Sequence, residues 1–344
     1  LRAIGVIPIM VDVFDADALA QAVATAQPAK TLGIYFIDVE GGQSTLIVTP
    51  DKESLLIDTG WDTADSRDAK RIVAAARAAG ISQIDYLMIT HFHADHDGGV
   101  RALAKLIPIK TFIDYGGPPT EKGGKIAGLF DVYSGIRRKG AHIEPKVGDM
   151  LPLKGIEVQI VSSRGKTLTA PLSGAGQDNP ACAAFKKKAN DFTENAKSLG
   201  FRLLFGKFRF LDLGDLVWNE LGQEVCPKNL LGEADVYLVA HHGNAFSGVP
   251  ALTAAMRPRV AILNNSETKG ADPKTFNVLH AAPGLEDLWQ LHRSGFKAAK
   301  QTDEALIANL NESTGHGITL TATEDGSFTV TNTRTGFSKQ YAAK

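Results

Sequence analysis

Short apolar runs separated by turn residues make up most of the chain from about residue 31 onwards. Residues 33–39, 44–48 and 54–57 are rich in β-branched, aromatic and aliphatic side chains, and glycine or proline turns separate them. This spacing predicts three neighbouring strands in an antiparallel meander.

Helical and strand patterns then alternate along the chain. Apolar residues recur at helical spacing over residues 64–79, and Gly80 follows as a stop signal. Residues 85–89 form an almost wholly apolar run, which predicts a strand buried on both faces. A helix is predicted at about residues 99–106 and a strand at 110–113.

A second group of strands follows a less regular centre, in which residues 163–193 form a long polar insertion. The pattern predicts strands at 155–161, 201–205, 208–213, 236–240 and 260–264, a helix at 285–294 and a closing hairpin at 318–331. Two groups of strands with helices between them predict an α/β fold, in which two sheets pack face to face with helices outside.

The predicted organisation is an N-terminal extension over residues 1–30 and a single domain over residues 31–344, with the polar insertion and a C-terminal helix and hairpin extension. Residues 22–28 carry small residues spaced as at the end of a signal peptide, although Asp12, Asp15 and Asp17 interrupt its apolar core. This remnant favours a periplasmic or secreted protein, with a cytoplasmic one as the alternative.

Two cysteines, Cys182 and Cys226, are too few for a disulfide framework. They are either two buried thiols in a cytosolic enzyme or one bridge in an exported protein. The sequence leaves both readings open.

Charge and hydropathy argue against two classes of protein, a nucleic-acid coat protein and a membrane-spanning protein. The 37 basic and 38 acidic residues give a net charge of −1, which argues against a dedicated nucleic-acid coat. Apolar runs are all shorter than the roughly 18 residues that a membrane span needs.

The densest chemical signal lies just after the buried strand, at residues 90–99. Alternation along an extended chain puts His91 and His93 on one side, so that both imidazoles can reach one cation. Asp95 and His96 fall where the chain turns and can reach a second cation. Imidazole nitrogens with a carboxylate oxygen suit zinc, and also manganese or iron.

This HxHxDH pattern resembles the metallo-β-lactamase superfamily, and three further motifs occur in the order of that family. Asp58 ends the run Leu-Leu-Ile-Asp-Thr-Gly, Asp215 ends Leu-Asp-Leu-Gly-Asp, and His241-His242-Gly243 follows the strand at 236–240. The resemblance implies an αββα four-layer sandwich with mixed sheets.

The resemblance also implies a role for each motif residue. His91 and His93 would hold a first metal, Asp95 and His96 a second, and Asp215 would bridge the two. The last ligand is His241 or His242, with His242 preferred and His241 facing the substrate. Asp95 would orient the attacking hydroxide, which makes Asp95 and His241 the predicted catalytic residues. Asp58 would support the ligands from behind.

One motif of the family is missing. Most members carry a third histidine for the first metal, and here Glu194 or Asn195 stands at that position. The set Asn-x-x-Ser-Leu, Gly-Asp-Leu and His-His-Gly resembles the branch of the hydrolase domain in DNA-uptake competence proteins, and more closely its free-standing soluble relatives.

The implied activity is that of a hydrolase that uses a hydroxide held beside one or two divalent cations, zinc above all. The favoured substrate is a small or short phosphodiester; nucleic acid is possible but is not favoured by the charge. Two alternatives remain: hydrolysis of a lactone or β-lactam, and a metal-binding relative without turnover. The sequence does not give the oligomeric state.

Overall fold

The computed structural model describes residues 30–121, 123, 125–311 and 315–344. Residues 1–29 of the predicted N-terminal extension, with its signal remnant, therefore lie outside the described residues. Residues Thr31–Lys344 form one compact unit. Among the described residues, none of the helices has both the length and the hydropathy to cross a membrane.

The first sheet has nine strands in the order β16-β15-β14-β1-β2-β3-β4-β5-β6. Its strands are β1 (Thr31–Phe36), β2 (Thr45–Val48), β3 (Ser54–Ile57), β4 (Ile84–Met88), β5 (Ile109–Ile113), β6 (Ala141–Ile143), β14 (Ile318–Thr323), β15 (Phe328–Asn332) and β16 (Ser338–Tyr341). The predicted meander β1-β2-β3 is antiparallel, and β3 to β6 run parallel. The predicted hairpin β14-β15 also forms.

The second sheet has seven strands in the order β13-β12-β11-β10-β9-β8-β7. Its strands are β7 (Glu157–Ser162), β8 (Gly200–Phe205), β9 (Phe208–Asp212), β10 (Val236–Leu238), β11 (Val260–Leu263), β12 (Asp287–His292) and β13 (Ile307–Asn309). Strands β7, β8 and β9 pair antiparallel, whereas β9 to β13 run parallel. Both sheets are mixed, as the resemblance implied.

Helices cover the outer faces. They are α1 (Arg67–Ala78), α2 (Val100–Leu106), α3 (Ile126–Arg137), α4 (Trp218–Gln223), α5 (Pro250–Met256) and α6 (Pro273–His280). Buried residues of α1 and α2 join the core of the first sheet, and those of α4, α5 and α6 join a second core.

Successive side chains along the strands of the second sheet point alternately into these two cores. Phe210 and Val236 point between the sheets, whereas their chain neighbours Leu211 and Tyr237 pack with the outer helices. The rings of Phe36 and Phe210 lie 6.0 Å apart across the gap between the sheets. Apolar side chains on both faces explain the continuous apolar runs of these strands, and the αββα prediction is confirmed.

One predicted element is wrong. The segment at 285–294 contains the strand β12 and not a helix. Strand β12 lies between β11 and β13, and its residues from Leu288 to His292 are all buried. A short run buried on both faces loses the alternation that distinguishes a strand from a buried helix.

The two cysteines are bonded to each other. Cys182 lies in a 3₁₀ turn at Pro180–Ala184, within the segment predicted as a polar insertion, and Cys226 follows α4. Of the two readings that the sequence left open, the structure contains the bridge.

Candidate metal centre

Four loops that carry the sequence motifs meet at one edge of the two sheets. Each follows the carboxyl end of a strand: β3 leads to Asp58, β4 to residues 91–96, β9 to Asp215, and β10 to His241 and His242. Strands β3 and β4 are parallel, and so are β9 and β10. The carboxyl ends of parallel strands are where α/β sheets bind ligands.

Asp95, His96, Asp215 and His242 form a buried cluster in which one ligand atom of each lies within 4.8 Å of the others. His96 Nε2 lies 3.3 Å from Asp95 Oδ2 and from Asp215 Oδ2. His242 Nε2 lies 3.1 Å from Asp95 Oδ2 and 3.4 Å from Asp215 Oδ2. Ligands about 2.0–2.1 Å from a tetrahedral ion lie roughly 3.3 Å from one another, so these separations fit a shared cation.

Buried polar atoms without hydrogen-bond partners at the cluster also indicate a cation site. In the described part of the chain, Asp215 Oδ1, His96 Nε2 and His242 Nδ1 are buried and have no hydrogen-bond partner. Buried polar atoms are normally paired, so each such atom calls for an explanation. A divalent cation among two imidazoles and two carboxylates would explain His96 Nε2, and the mixed nitrogen and oxygen donors suit zinc, manganese or iron.

The cluster is also strongly polarised. Burial alone would lower the pKa of His96, but the carboxylates of Asp215, Asp95 and Asp58 outweigh burial and hold this pKa well above its usual value. Burial would raise the pKa of Asp215, yet His242 and His96 hold it well below its usual value. The carboxylates of Asp95 and Asp215, whose pKa values both lie well below the usual value, thus stay ionised and attract positive charge, which a metal ion can supply in place of the imidazole protons.

Asp58 holds His96 from the side away from the cluster. Its Oδ2 lies 2.7 Å from His96 Nδ1 and accepts the Thr90 hydroxyl at 2.7 Å, and its Oδ1 accepts the Thr90 amide at 2.8 Å. A carboxylate on one ring nitrogen directs the other nitrogen at a metal. Asp58 therefore lies where the resemblance expected support for the ligands.

His91 and His93 form a separate pair beside the cluster. His91 Nε2 lies 3.0 Å from His93 Nδ1, and the ring centroids of His91 and His96 are 4.0 Å apart. Burial lowers the pKa of His91 well below its usual value, which keeps its ring neutral. His93 Nε2 contacts Glu121 Oε2 at 3.1 Å. His91 and His93 thus lie in contact with each other, but outside the four-residue group.

Glu194 and Asn195, which stand at the position of the missing third histidine, make other contacts. Glu194 is buried and accepts hydrogen bonds from the Tyr115 hydroxyl and from Lys197 Nζ, the latter at 2.6 Å. Its backbone amide donates to Glu121 Oε2 at 2.8 Å. Asn195 Oδ1 is buried and has no hydrogen-bond partner among the described residues. Glu194 is thus tied to the wall of the site and not aimed at the histidine pair.

The turn that carries the last two histidines has an unusual backbone. His241 and His242 both lie in the left-handed region, with φ of 53° and 55°. Non-glycine residues in this region are uncommon and are concentrated at functional sites. The turn directs His242 into the cluster, and it leaves His241 Nε2 3.6 Å from Asp215 Oδ2 with 14% of its side chain exposed.

Lys269, in the loop after β11, brings a positive charge into the site. Its Nζ donates to Asp95 Oδ2 and lies 4.8 Å from the centroid of the Trp61 ring. About a third of the side chain, 35%, is exposed. Lys269 and Glu121 are not among the site residues predicted from the sequence. Lys269 could have been found, because its loop follows the strand next to β10; Glu121 carries no signal of its own.

Comparison with known proteins agrees with this architecture. The sequence model of the metallo-beta-lactamase superfamily matches residues 37–165, which carry the first motifs. The resemblance to this superfamily that the motifs carry is therefore confirmed over residues 37–165.

Two curated relatives are competence proteins. ComE operon protein 3 of Bacillus subtilis (strain 168) is 27% identical over 67% of this chain, and competence protein ComA of Neisseria gonorrhoeae is 23% identical over 70% of it. The chain spans only 28% of the length of either curated relative. Among solved structures, the metallo-beta-lactamase fold protein YhfI from Bacillus subtilis aligns with 78% of this chain and 98% of its own, at 12% identity and a TM-score of 0.47.

Proposed function

We propose that this protein is a metal-dependent hydrolase of small or short phosphodiesters, with one or two zinc ions as the native cofactor. The observation that carries the choice of substrate is Lys269, whose ammonium group lies at Asp95 in the metal cluster. A phosphodiester keeps a negative charge at the atom to be attacked, whereas a lactone is neutral. A cation at this position therefore favours the phosphodiester.

The residues of the chain divide the work in this proposal. Asp95, His96, Asp215 and His242 hold the ion of the buried cluster, and His91 with His93 contribute to the second position. When bound, a divalent cation here polarises a phosphoryl oxygen and lowers the pKa of coordinated water. Asp58 keeps His96 in the orientation that ligation needs.

Two further side chains act on the substrate. Asp95 accepts a hydrogen bond from the attacking water and orients it toward the phosphorus atom. His241 is only partly buried at the mouth of the cluster, and burial lowers its pKa, so it is neutral near pH 7 and donates one N–H to the departing oxygen. Lys269 pairs with a non-bridging oxygen of the substrate.

The disulfide supports export as part of this proposal. Disulfides persist in oxidising compartments and are rare in the cytosol. The Cys182–Cys226 bond therefore favours a periplasmic or secreted hydrolase over a cytoplasmic one.

The test is turnover of bis(p-nitrophenyl) phosphate by zinc- or manganese-loaded protein, with and without a chelator. We expect chelator-sensitive hydrolysis that Asp215→Asn removes, whereas the exposed Asp62→Asn, which changes the charge equally, retains it. Lys269→Met should lower kcat/KM for the diester about tenfold or more, while Lys274→Met, exposed in the first turn of α6, should not.

The alternatives give different results in the same experiment. Hydrolysis of a lactone or of a chromogenic β-lactam without diester turnover would move the assignment to acyl hydrolysis. Bound metal with no turnover of any of these substrates would identify a metal-binding relative without activity.

A further inference from the structure

A second charged cavity lies at the opposite end of the second sheet from the metal cluster. It has a volume of about 380 Å³, and its wall includes Arg202 of β8, Lys207 in the β8-β9 turn, and Arg209 and Asp235. The six residues of β8 start beside Thr90 and end at this turn. At about 3.3 Å per residue, roughly 20 Å therefore separates the cavity from the metal cluster.

Arg202 is the unusual residue of this cavity. Its neighbours Phe201 and Leu203 point between the sheets, so Arg202 lies on the outer face, where it is only 6% exposed. Its Nη1 donates to the carbonyl oxygens of Ser173 at 3.1 Å and Leu231 at 3.2 Å.

The guanidinium group of Arg202 is only partly paired. Its Nε is buried with no hydrogen bond, and no carboxylate among the described residues forms an ion pair with Arg202. The other arginine of the wall, Arg209, is already neutralised, because it pairs with Asp235 at 3.1 Å and with Glu233 at 3.5 Å.

A buried guanidinium group without a carboxylate in direct contact is unfavourable. Burial lowers the pKa of Arg202, the Glu157 carboxylate on the neighbouring strand β7 opposes this without forming an ion pair, and Arg209 lowers the pKa further, but a guanidinium group in a protein remains protonated. An anion in the cavity would offset this cost through charge-assisted hydrogen bonds. The exposed Lys207 at the rim supplies a second positive charge.

We propose that this cavity is a binding site for a phosphate group, either free inorganic phosphate or the terminal group of a phosphomonoester. Among the described residues, no carboxylate forms an ion pair with Arg202 or Lys207, and these two positive charges match the charge of a dianion. Ser173 and Gly174 of the insertion form part of the same wall, so occupation of the cavity would fix the insertion against β8. The proposal is independent of the substrate assigned to the metal centre.

Calorimetric titration of the metal-loaded protein with inorganic phosphate, in a chloride buffer, tests the site. We expect saturable binding that persists after chelation of the metal, because the cavity is remote from the cluster. Arg202→Met should weaken binding about tenfold or more, while Arg77→Met, an exposed arginine in the last turn of α1, should bind like wild type.

Lys207→Met keeps the test decisive if Arg202→Met fails to fold, because Lys207 is exposed in a turn and its loss should weaken binding several-fold without unfolding the protein. A parallel titration with glycerol phosphate distinguishes the sources: tighter binding than phosphate indicates a phosphomonoester, and weaker binding indicates the free ion. The proposal is overturned if phosphate does not bind, if the chelator abolishes binding, or if Arg77→Met weakens it as much as the cavity variants.

Discussion

Replacement of Asp58 by asparagine should weaken metal binding although Asp58 is not a ligand. The carboxylate accepts at both oxygens: Oδ1 from the Thr90 amide at 2.8 Å, and Oδ2 at 2.7 Å from His96 Nδ1. An asparagine has one acceptor and one donor at these positions. Since the backbone N–H of Thr90 cannot change its role, the amide oxygen must face Thr90, and the amide NH₂ then faces His96.

This rearrangement acts on the tautomer of His96. Opposite a donor, Nδ1 must become an acceptor, and the ring proton moves to Nε2, the atom that lies 3.3 Å from Asp95 and Asp215. A protonated nitrogen cannot bind a cation. Loss of such an outer partner typically lowers metal affinity about 10- to 100-fold, or roughly 1.4 to 2.7 kcal/mol.

The assay is competition for zinc against a chromophoric chelator, with wild type, Asp58→Asn and the exposed control Asp62→Asn compared at one pH. Near-ultraviolet circular dichroism of each variant confirms that the fold is retained. A folded Asp58→Asn that binds zinc as tightly as wild type would refute the reasoning. An equal loss in Asp62→Asn would instead assign the effect to net charge.

Three other predictions concern the site, the disulfide and pH. His242→Ala should lower bound metal, whereas His241→Ala should lower the rate at unchanged metal content; metal analysis with kinetics would expose the reverse assignment. Replacing Cys182 and Cys226 by serine should cost about 4 kcal/mol in urea unfolding, since the bond closes a loop with a sequence separation of 44; an unchanged midpoint would contradict this. Burial raises the pKa of Glu224 from its ordinary 4.5 to about 8. The folded protein therefore holds a proton that the unfolded chain releases above about pH 4.5. The free energy of unfolding should fall by up to about 1.4 kcal/mol per pH unit until about pH 8. Glu224→Gln should flatten that fall, and parallel pH profiles of wild type and variant would count against it.

The sequence predicted the fold and the position of the motifs well because both depend on local pattern. The metal-site candidates follow strands whose apolar runs are unmistakable, and strand ends converge by topology alone. The error at β12 has the opposite origin, since a strand buried on both faces carries no periodic signal.

Contacts between distant loops could not be predicted in the same way. The loop of Lys269 follows a predicted strand, but its contact with Asp95, 174 positions away, has no local signal, and Glu121 reaches His93 from a loop without a motif. Bonding of Cys182 to Cys226 likewise depends on geometry and compartment, and the spacing of two cysteines defines neither.

The candidate ligands of the cluster come from both halves of the sandwich: Asp95 and His96 extend from the first sheet, and Asp215 and His242 from the second. An ion held there would link the two halves and stabilise the folded protein. Ligand present at about a thousand times its Kd adds roughly 4 kcal/mol to the folded state. Metal supply would then set the lifetime of the protein as well as its activity, and chains starved of metal would be the first that proteases remove.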